Sequence, residues 1–425
     1  MLRRLLTQTD NPDRAGFLWN TIVGVWFTFQ PTAISFVITR TLGASETGQF
    51  AYAVAQAYLF WGIGIYGMRR YQASDVEFRF TFGEYLGSRV VTTAAMILAG
   101  LGFAAWSIVR DPGSADTMAL VLLVLALRAV DSLEDVYLGY FQQMGRLDIG
   151  SKVSAYRSIA STIVIMLALQ ATHDMPLAIG LGVVVSVVLL AVMLPQAFVR
   201  PLTPQERALT SARLWRLLSA CAPLFVATFV SIYVANAPRY AINAALDLEA
   251  QGFFSWLSLA PFLITLLSMV IYNPVITRMA VQWTTGDLRT FVSWTRRLSM
   301  LIGGVTVVTT AAGLLLGVPV LNAITGWDFG PYRTELVVLL LAGGLSAWGG
   351  LYSTVLTIVR RQGWFTVGVV AAAAVGLTGG AWVRHGGLLG ASWLYVALFA
   401  VQCAVFGAAL QTVVRRRRLE GTSRA

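Results

Sequence analysis

The residues best suited to chemistry in this chain lie in one apolar stretch, Ala126-Leu127-Arg128-Ala129-Val130-Asp131-Ser132-Leu133-Glu134-Asp135-Val136-Tyr137. At 100° per residue, Arg128, Asp131, Ser132, Asp135, Gly139 and Gln142 fall within about 100° of arc, and Glu134 points away. Arg128 and Asp131 stand at the i,i+3 pairing distance. A charge in the middle of a membrane helix costs about 2.5–3.5 kcal/mol on insertion scales, so this stripe must face protein or water. Two readings follow. In one, Arg128, Asp131, Ser132 and Asp135 line a water-filled cleft, where they touch substrate or exchange a proton. In the other, they form a buried ion pair that fixes the helix against its neighbours. One arginine against three acids is net negative, which suits cation or proton coupling better than phosphate binding.

Other polar residues interrupt apolar runs. Gln49, Tyr52 and Gln56 make a polar stripe near the start of the second apolar stretch, and Trp256 occupies the position equivalent to Tyr52 in the second half. Rings facing a wet cleft can stack on sugars, whereas a belt of Tyr and Trp at the membrane interface is the plainer reading. Asn236, Arg239 and Asn243 share a face at the end of the seventh stretch, and Asn20, Gln30 and Pro31 lie in the first. Arg40 and Arg239 stand at helix ends, where snorkelling to headgroups competes with anion binding. Pro31 removes a backbone hydrogen bond and is a candidate gating kink, although static membrane helices also carry such kinks.

These residues must be positioned by membrane helices. The chain has 425 residues, 57% apolar and 12% charged, with mean hydropathy +0.69. A soluble domain carries about a quarter charged residues. The pattern predicts an all-α polytopic membrane protein with twelve spans: 17–39, 49–68, 87–108, 117–141, 153–171, 176–195, 217–239, 251–275, 298–319, 334–357, 364–382 and 388–412. The net charge of +11 follows topology rather than nucleic acid. With the N-terminus inside, 25 basic residues fall in inner segments and five in outer ones, with Arg128 inside a span. Both termini are therefore expected in the cytoplasm. Arg415 to Arg418 read as an anchor to the inner surface. The polar start, Met1 to Gly16, has no apolar core or cleavage site of a removable signal. Cys221 and Cys403 are far apart without CxxC spacing, and His173 and His385 are isolated, so no metal site, catalytic group or cofactor is expected.

The two halves echo each other. Leu42-Gly43-Ala44-Ser45-Glu46-Thr47-Gly48-Gln49-Phe50 joins spans one and two, and Leu246-Asp247-Leu248-Glu249-Ala250-Gln251-Gly252-Phe253-Phe254 joins spans seven and eight. A weaker echo links Gln143-Met144-Gly145 to Arg361-Gln362-Gly363. Six spans is an even number, so the halves enter the membrane alike, and a pseudo-twofold along the membrane normal follows. The expected organisation is a six-helix lobe over 1–200, a cytoplasmic amphipathic linker helix over 201–216 and a second six-helix lobe with a basic tail over 217–425. Thr203-Pro204-Gln205-Glu206 has the form of a capping box that would start the linker helix; the competing reading is continuation into span seven. Gly343-Gly344 and Gly349-Gly350 read as helix packing.

Several of these segments resemble a known family. Asn20, Thr39-Arg40-Thr41-Leu42-Gly43 with Gly48-Gln49-Phe50-Ala51-Tyr52, Gln142 with Gln143, Pro238-Arg239-Tyr240 through Gly252-Phe253-Phe254, and Gly386 to Ala391 are similar to the polysaccharide-transporter branch of the multidrug/oligosaccharidyl-lipid/polysaccharide exporter (MOP) superfamily. The resemblance implies a flippase in the bacterial inner membrane, moving lipid-linked oligosaccharide for surface lipopolysaccharide or exopolysaccharide by alternating access. It implies a lipid-linked sugar substrate, membrane lipids as surroundings, and a polysaccharide polymerase and glycosyltransferases as partner enzymes. The family's cleft is commonly basic, and the acid-rich stripe of span four departs from that. A cation-coupled multidrug exporter of the same superfamily is the alternative, but spans one and seven lack the Asp or Glu a cation site needs. A membrane polymerase or ligase needs larger outer loops or intramembrane His and acid groups. A major-facilitator transporter is disfavoured because Met68 to Tyr85 lacks that family's loop pattern.

Overall fold

The computed structural model describes residues 2–422, and no strand occurs among them. Arg424 and the side chain of Arg418, both counted in the basic tail, lie outside the described residues. The first helices are α1 (Leu2–Thr7), α2 (Pro12–Thr41), α3 (Ala44–Ile65), α4 (Met68–Ser74), α5 (Phe82–Arg110), α6 (Ala115–Gln143), α7 (Leu147–Thr172) and α8 (Met175–Ala197). Next come α9 (Pro204–Arg207), α10 (Ser211–Ala245), α11 (Leu248–Leu257), α12 (Leu259–Tyr272), α13 (Ile276–Thr285) and α14 (Leu288–Ala312). The chain closes with α15 (Val318–Thr325), α16 (Arg333–Ile358), α17 (Gly363–Gly376) and α18 (Gly379–Thr422), the last broken at Gly387 by its φ of 57°.

Each of the twelve expected spans falls on a helix or a pair of helices. Ten helical stretches are long and apolar enough to cross a membrane by length and composition, which makes this a multi-pass membrane protein. The two that fall short have plain reasons. Helix α3 has 22 residues, but Gln49, Tyr52, Gln56 and Tyr58 lower its hydropathy. Helix α17 has only 14.

The chain divides into two compact units, residues 1–232 and 233–425. The division lies later than the expected start of the second lobe at 217, and packing explains why. The first half of α10 belongs to the first unit: Tyr66 stacks on Phe225 with centroids 4.6 Å apart, and Leu214, Leu217, Leu218 and Cys221 join a core with Phe82, Tyr85 and Tyr140.

The linker differs from expectation. The capping box at Thr203 and Glu206 is present, yet α9 is a single turn of four residues. Arg213 and Arg216 belong instead to the start of α10. Ala208 leaves the helix with ψ of 135°, and its carbonyl accepts from Thr81 Oγ1 at 2.6 Å. Gly83 permits this approach, since a Cβ there would lie 2.4 Å from the Arg207 carbonyl oxygen. Thr81, at the start of α5, thus takes the Ala208 carbonyl that a longer linker helix would use. Arg213 completes the seam, placing Nε 2.9 Å from Glu84. In the turn, Arg200 holds Glu206 at 2.7 and 2.9 Å, and this pairing pulls the Glu206 carboxyl down to about 2.

The internal repeat is visible within each unit. Leu42 N–H bonds the Ile38 carbonyl at 2.8 Å and Leu246 N–H bonds the Ile242 carbonyl at 2.7 Å, 204 residues apart. Gly43 precedes α3 with φ of 116°, and Asp247 caps α11 through the Ala250 N–H. Phe50 and Phe254 are both buried, as are Tyr52 and Trp256. The weaker echo is out of register. Met144-Gly145-Arg146 and Val359-Arg360-Arg361 make the same closing bonds, and Gly145 (φ 69°) corresponds to Arg360 (φ 56°) rather than to Gly363.

Glycine packing is clearest where Gly343 and Gly344 let α16 meet α12 and α14. A Cβ on Gly343 would lie 2.6 Å from Pro261 Cα, and one on Gly344 would lie 2.5 Å from Thr306 Cγ2. Gly343 meets backbone, which cannot rotate away. Gly343→Val is therefore expected to cost about 1–3 kcal/mol through overpacking, read as earlier loss of the monodisperse species on heating in detergent. Unchanged thermostability would contradict this contact.

Candidate functional site

The polar stripe of α6 sits inside the first unit and is met by arginines from three other helices. Asp131 lies 2.8 Å from Arg128 Nη1 on its own helix and 2.5 Å from Arg157 Nη2 on α7. Arg157 also grips Glu134, with Nε and Nη2 at 3.2 and 2.6 Å from the two carboxylate oxygens. It donates as well to Ser186 of α8. Ser154 donates to Glu134 at 3.0 Å. Arg128, Asp131, Glu134 and Arg157 are all buried. Glu134 points off the α6 stripe, yet it joins the same network because α7 packs on that flank.

The other arm of Arg128 reaches α2. Its Nη2 donates to Gln30 Oε1 at 2.8 Å, and Gln30 Nε2 donates to Thr162 at 2.8 Å. The guanidinium carbon stands 5.4 Å from the centre of the Tyr58 ring and 5.8 Å from that of Phe27. Gln30, Pro31 and Arg128 border a cavity of about 20 Å³. That is room for about one water, so neither a diphosphate nor a sugar fits beside Arg128 in this conformation. Pro31 lies within α2, which is helical from residue 12 to 41.

Toward the other end the network becomes accessible. Asp135 accepts from Arg89 Nη2 at 2.7 Å and lies 3.8 Å from Arg69 Nη1. Arg89 is fully buried and also donates to the Gly64 carbonyl at 2.6 Å. Asp135 and Arg69 are 18% and 30% exposed in their side chains. Arg69 Nη2 also approaches Asn20 Oδ1 at 3.3 Å. Ser132 is buried and accepts from Thr93 at 3.1 Å. Further along the stripe, Gly139 packs against Gln72 and Gln142 is exposed.

Counting acids within α6 alone made the cluster net negative, and the tertiary structure corrects this. Four arginines (Arg69, Arg89, Arg128 and Arg157) face three acids among the described residues. Arg69, Arg89 and Arg157 are among the 25 basic residues that topology alone assigns to inner segments. A signal for two of them was present: Ser154, Arg157, Ser158 and Ser161 share one face of α7, and Ser88, Arg89, Thr92 and Thr93 share one face of α5.

The remaining candidates are dispersed. Tyr52 and Trp256 are 5% and 4% exposed, so neither ring presents a face to a sugar or to the membrane interface. Gln56 is buried and donates to Tyr52 Oη at 2.8 Å. In the second unit Arg239 bonds Asn236 at 3.1 Å and Ser258 at 3.0 Å. Arg40 is exposed near Phe36 of its own helix. Among the described residues no group of His, Cys, Asp and Glu is arranged to hold a metal ion.

No protein-family model matches the chain. No curated protein matches it either. Solved structures do. An inward-facing multidrug resistance MATE family transporter of the MOP superfamily superposes with TM-score 0.67 at 12% identity, covering 93% of this chain and 96% of that one. The lipid II flippase MurJ, in an inward closed conformation, superposes with TM-score 0.67 at 12% identity, covering 94% and 90%. A MOP superfamily transporter from Pyrococcus furiosus, described as having a binding pocket of reverse polarity, gives TM-score 0.56 at 12% identity and covers 98% of both chains. The chain thus has the fold of MOP-superfamily transporters along nearly its whole length.

Proposed function

We propose that this protein is a flippase that moves a lipid-linked, diphosphate-bearing oligosaccharide across the bacterial inner membrane for surface polysaccharide synthesis. Two six-helix lobes alternate access to a central cleft, and both termini face the cytoplasm. The observation that carries the reading is the charge balance around α6. Asp131, Glu134 and Asp135 each have an arginine within 2.8 Å, and Arg69 is left as the surplus cation at the accessible end. A diphosphate is drawn to such an end, and a cationic drug or coupling cation is not. Among the described side chains of the second unit, Asp247, Glu249, Asp287, Asp328 and Glu335 stand only at helix starts and turns, which leaves no described carboxylate for a cation inside those helices.

The physics of the task agrees. A polyprenyl-diphosphate sugar cannot cross hydrocarbon unaided, because its charges and hydroxyls would lose their hydration. With the cell interior negative, outward movement of the headgroup gains about 2.3 kcal/mol per charge per 100 mV, so no coupling ion is required. Arg69, Asn20 and Asp135 meet the headgroup. Arg128, Asp131, Glu134 and Arg157 lock α6 to α7, and Arg239 and Asn236 are the second unit's polar contacts. The protein makes and breaks no covalent bond, and a polymerase and glycosyltransferases act before and after it.

Purified protein in vesicles tests this directly. Fluorescent lipid-linked oligosaccharide is expected to reach the far leaflet with its mass unchanged. A change in mass would identify a polymerase or ligase. Efflux of a cationic dye driven by a sodium or proton gradient, without lipid movement, would identify the drug exporter.

A further inference from the structure

In the second unit, α14, α16 and α18 enclose a cavity of about 400 Å³ that is separate from the network around α6. Its lining combines apolar Val292, Leu410 and Val414 with Arg296, Arg415 and Gln411. Arg296 and Arg415 are exposed at this end and form no ion pair among the described residues. Their neighbours are already occupied. The Arg417 guanidinium stacks 3.9 Å from the centre of the Trp283 ring, and Arg297 lies 5.9 Å from that of Trp294. Asp287, the acid that begins α14, is spent on the Thr290 N–H at 3.0 Å.

We propose that this cavity binds the phosphate headgroup of an anionic phospholipid of the surrounding bilayer. Arg296 and Arg415 hold the phosphate, and the apolar side chains take the glycerol backbone and the first methylenes. The chemistry follows from the parts. Two arginines from different helices line one recess together with apolar side chains, and a basic pocket between membrane helices matches an anionic headgroup joined to hydrocarbon. A free inorganic anion would leave the apolar side chains unused. The basic stretch from Arg415 therefore acts as more than a general attraction to a charged surface, because one of its arginines completes a shaped site. A lipid seated there bridges α14 to α18 and stabilises the inner end of the second unit. The site does not depend on the substrate transported.

The test uses the full chain, released from detergent and weighed intact by native mass spectrometry. It is titrated with phosphatidylglycerol or phosphatidylcholine, with inorganic phosphate as competitor. The expected result is one retained phosphatidylglycerol, weak retention of phosphatidylcholine and no displacement by millimolar phosphate. Arg296→Gln and Arg415→Gln are each expected to weaken retention about 5-fold, and together about 25-fold. Arg289→Gln, an exposed arginine outside the cavity wall, should retain lipid as the wild type does. Equal retention of both lipids, equal retention by the double variant, or displacement by phosphate would each overturn the proposal. The single variants alter exposed side chains, so a folding defect in the double variant leaves the comparison intact.

Discussion

Arg157→Ala is expected to destabilise the protein by about 3–5 kcal/mol, because it strands the buried Glu134 carboxylate without a counter-charge and leaves Asp131 with Arg128 alone. Among the described residues Arg157 alone pairs with both Asp131 and Glu134, and it is fully buried. Its guanidinium spans two carboxylates and a serine, a geometry that the point charge of lysine cannot reproduce. Arg157→Lys should therefore recover only part of the loss. Glu134→Gln should be milder than Arg157→Ala, since the amide oxygen can still accept from Arg157 and Ser154. Thermal unfolding in detergent, together with yield of monodisperse protein, reads all three. If Arg157→Ala melts with the wild type, the network is not holding α6 to α7.

Removal of Arg69 is expected to act on transport and not on the fold. Asp135 keeps its 2.7 Å bond to Arg89 when Arg69 is absent, so no buried charge is stranded. A charge-assisted contact to a phosphate contributes about 1.5–3 kcal/mol, so Arg69→Ala should weaken apparent affinity for the lipid-linked substrate about 10–100-fold. Arg69→Lys should keep most of it. Asn20→Ala, which removes a partner at 3.3 Å, should have a smaller effect in the same direction. Wild-type flipping by Arg69→Ala, with unchanged substrate affinity, would exclude this end of the network as the headgroup contact. The contrast with Arg128 is informative. Arg128→Ala leaves Asp131 bonded to Arg157, and only a water-sized space adjoins Arg128. A loss of flipping in that variant would have to arise from movement of α6 and not from lost substrate contact.

Much of the architecture was legible without tertiary information. A 20-residue apolar run has few alternatives in a bilayer, because every backbone polar group must be satisfied within the segment. Periodicity alone placed Arg128, Asp131 and Ser132 on one face of α6, and the 204-residue echo marked equivalent turns at Leu42 and Leu246. The register of the second echo was misread because a Gly-to-Gly match suggested 145 with 363. The backbone instead places Arg360, a non-glycine residue, in the left-handed conformation that Gly145 adopts. The linker was misread for a related reason. A capping box marks where a helix begins but does not say how long it runs, and α9 ends where Thr81 binds the Ala208 carbonyl and Gly83 leaves room for that of Arg207.

The sequence by itself determined that this is a helical membrane protein, where its helices lie, and that α6 carries charges needing an answer. Helical periodicity and hydropathy are local properties, so a single chain displays them directly. Only the tertiary structure decided what answers those charges: Arg157 from α7, Arg89 from α5 and Arg69 from α4. Which helix packs against which flank of α6 depends on contacts far apart in sequence. That pairing turned a net-negative stripe into a compensated network with one arginine to spare.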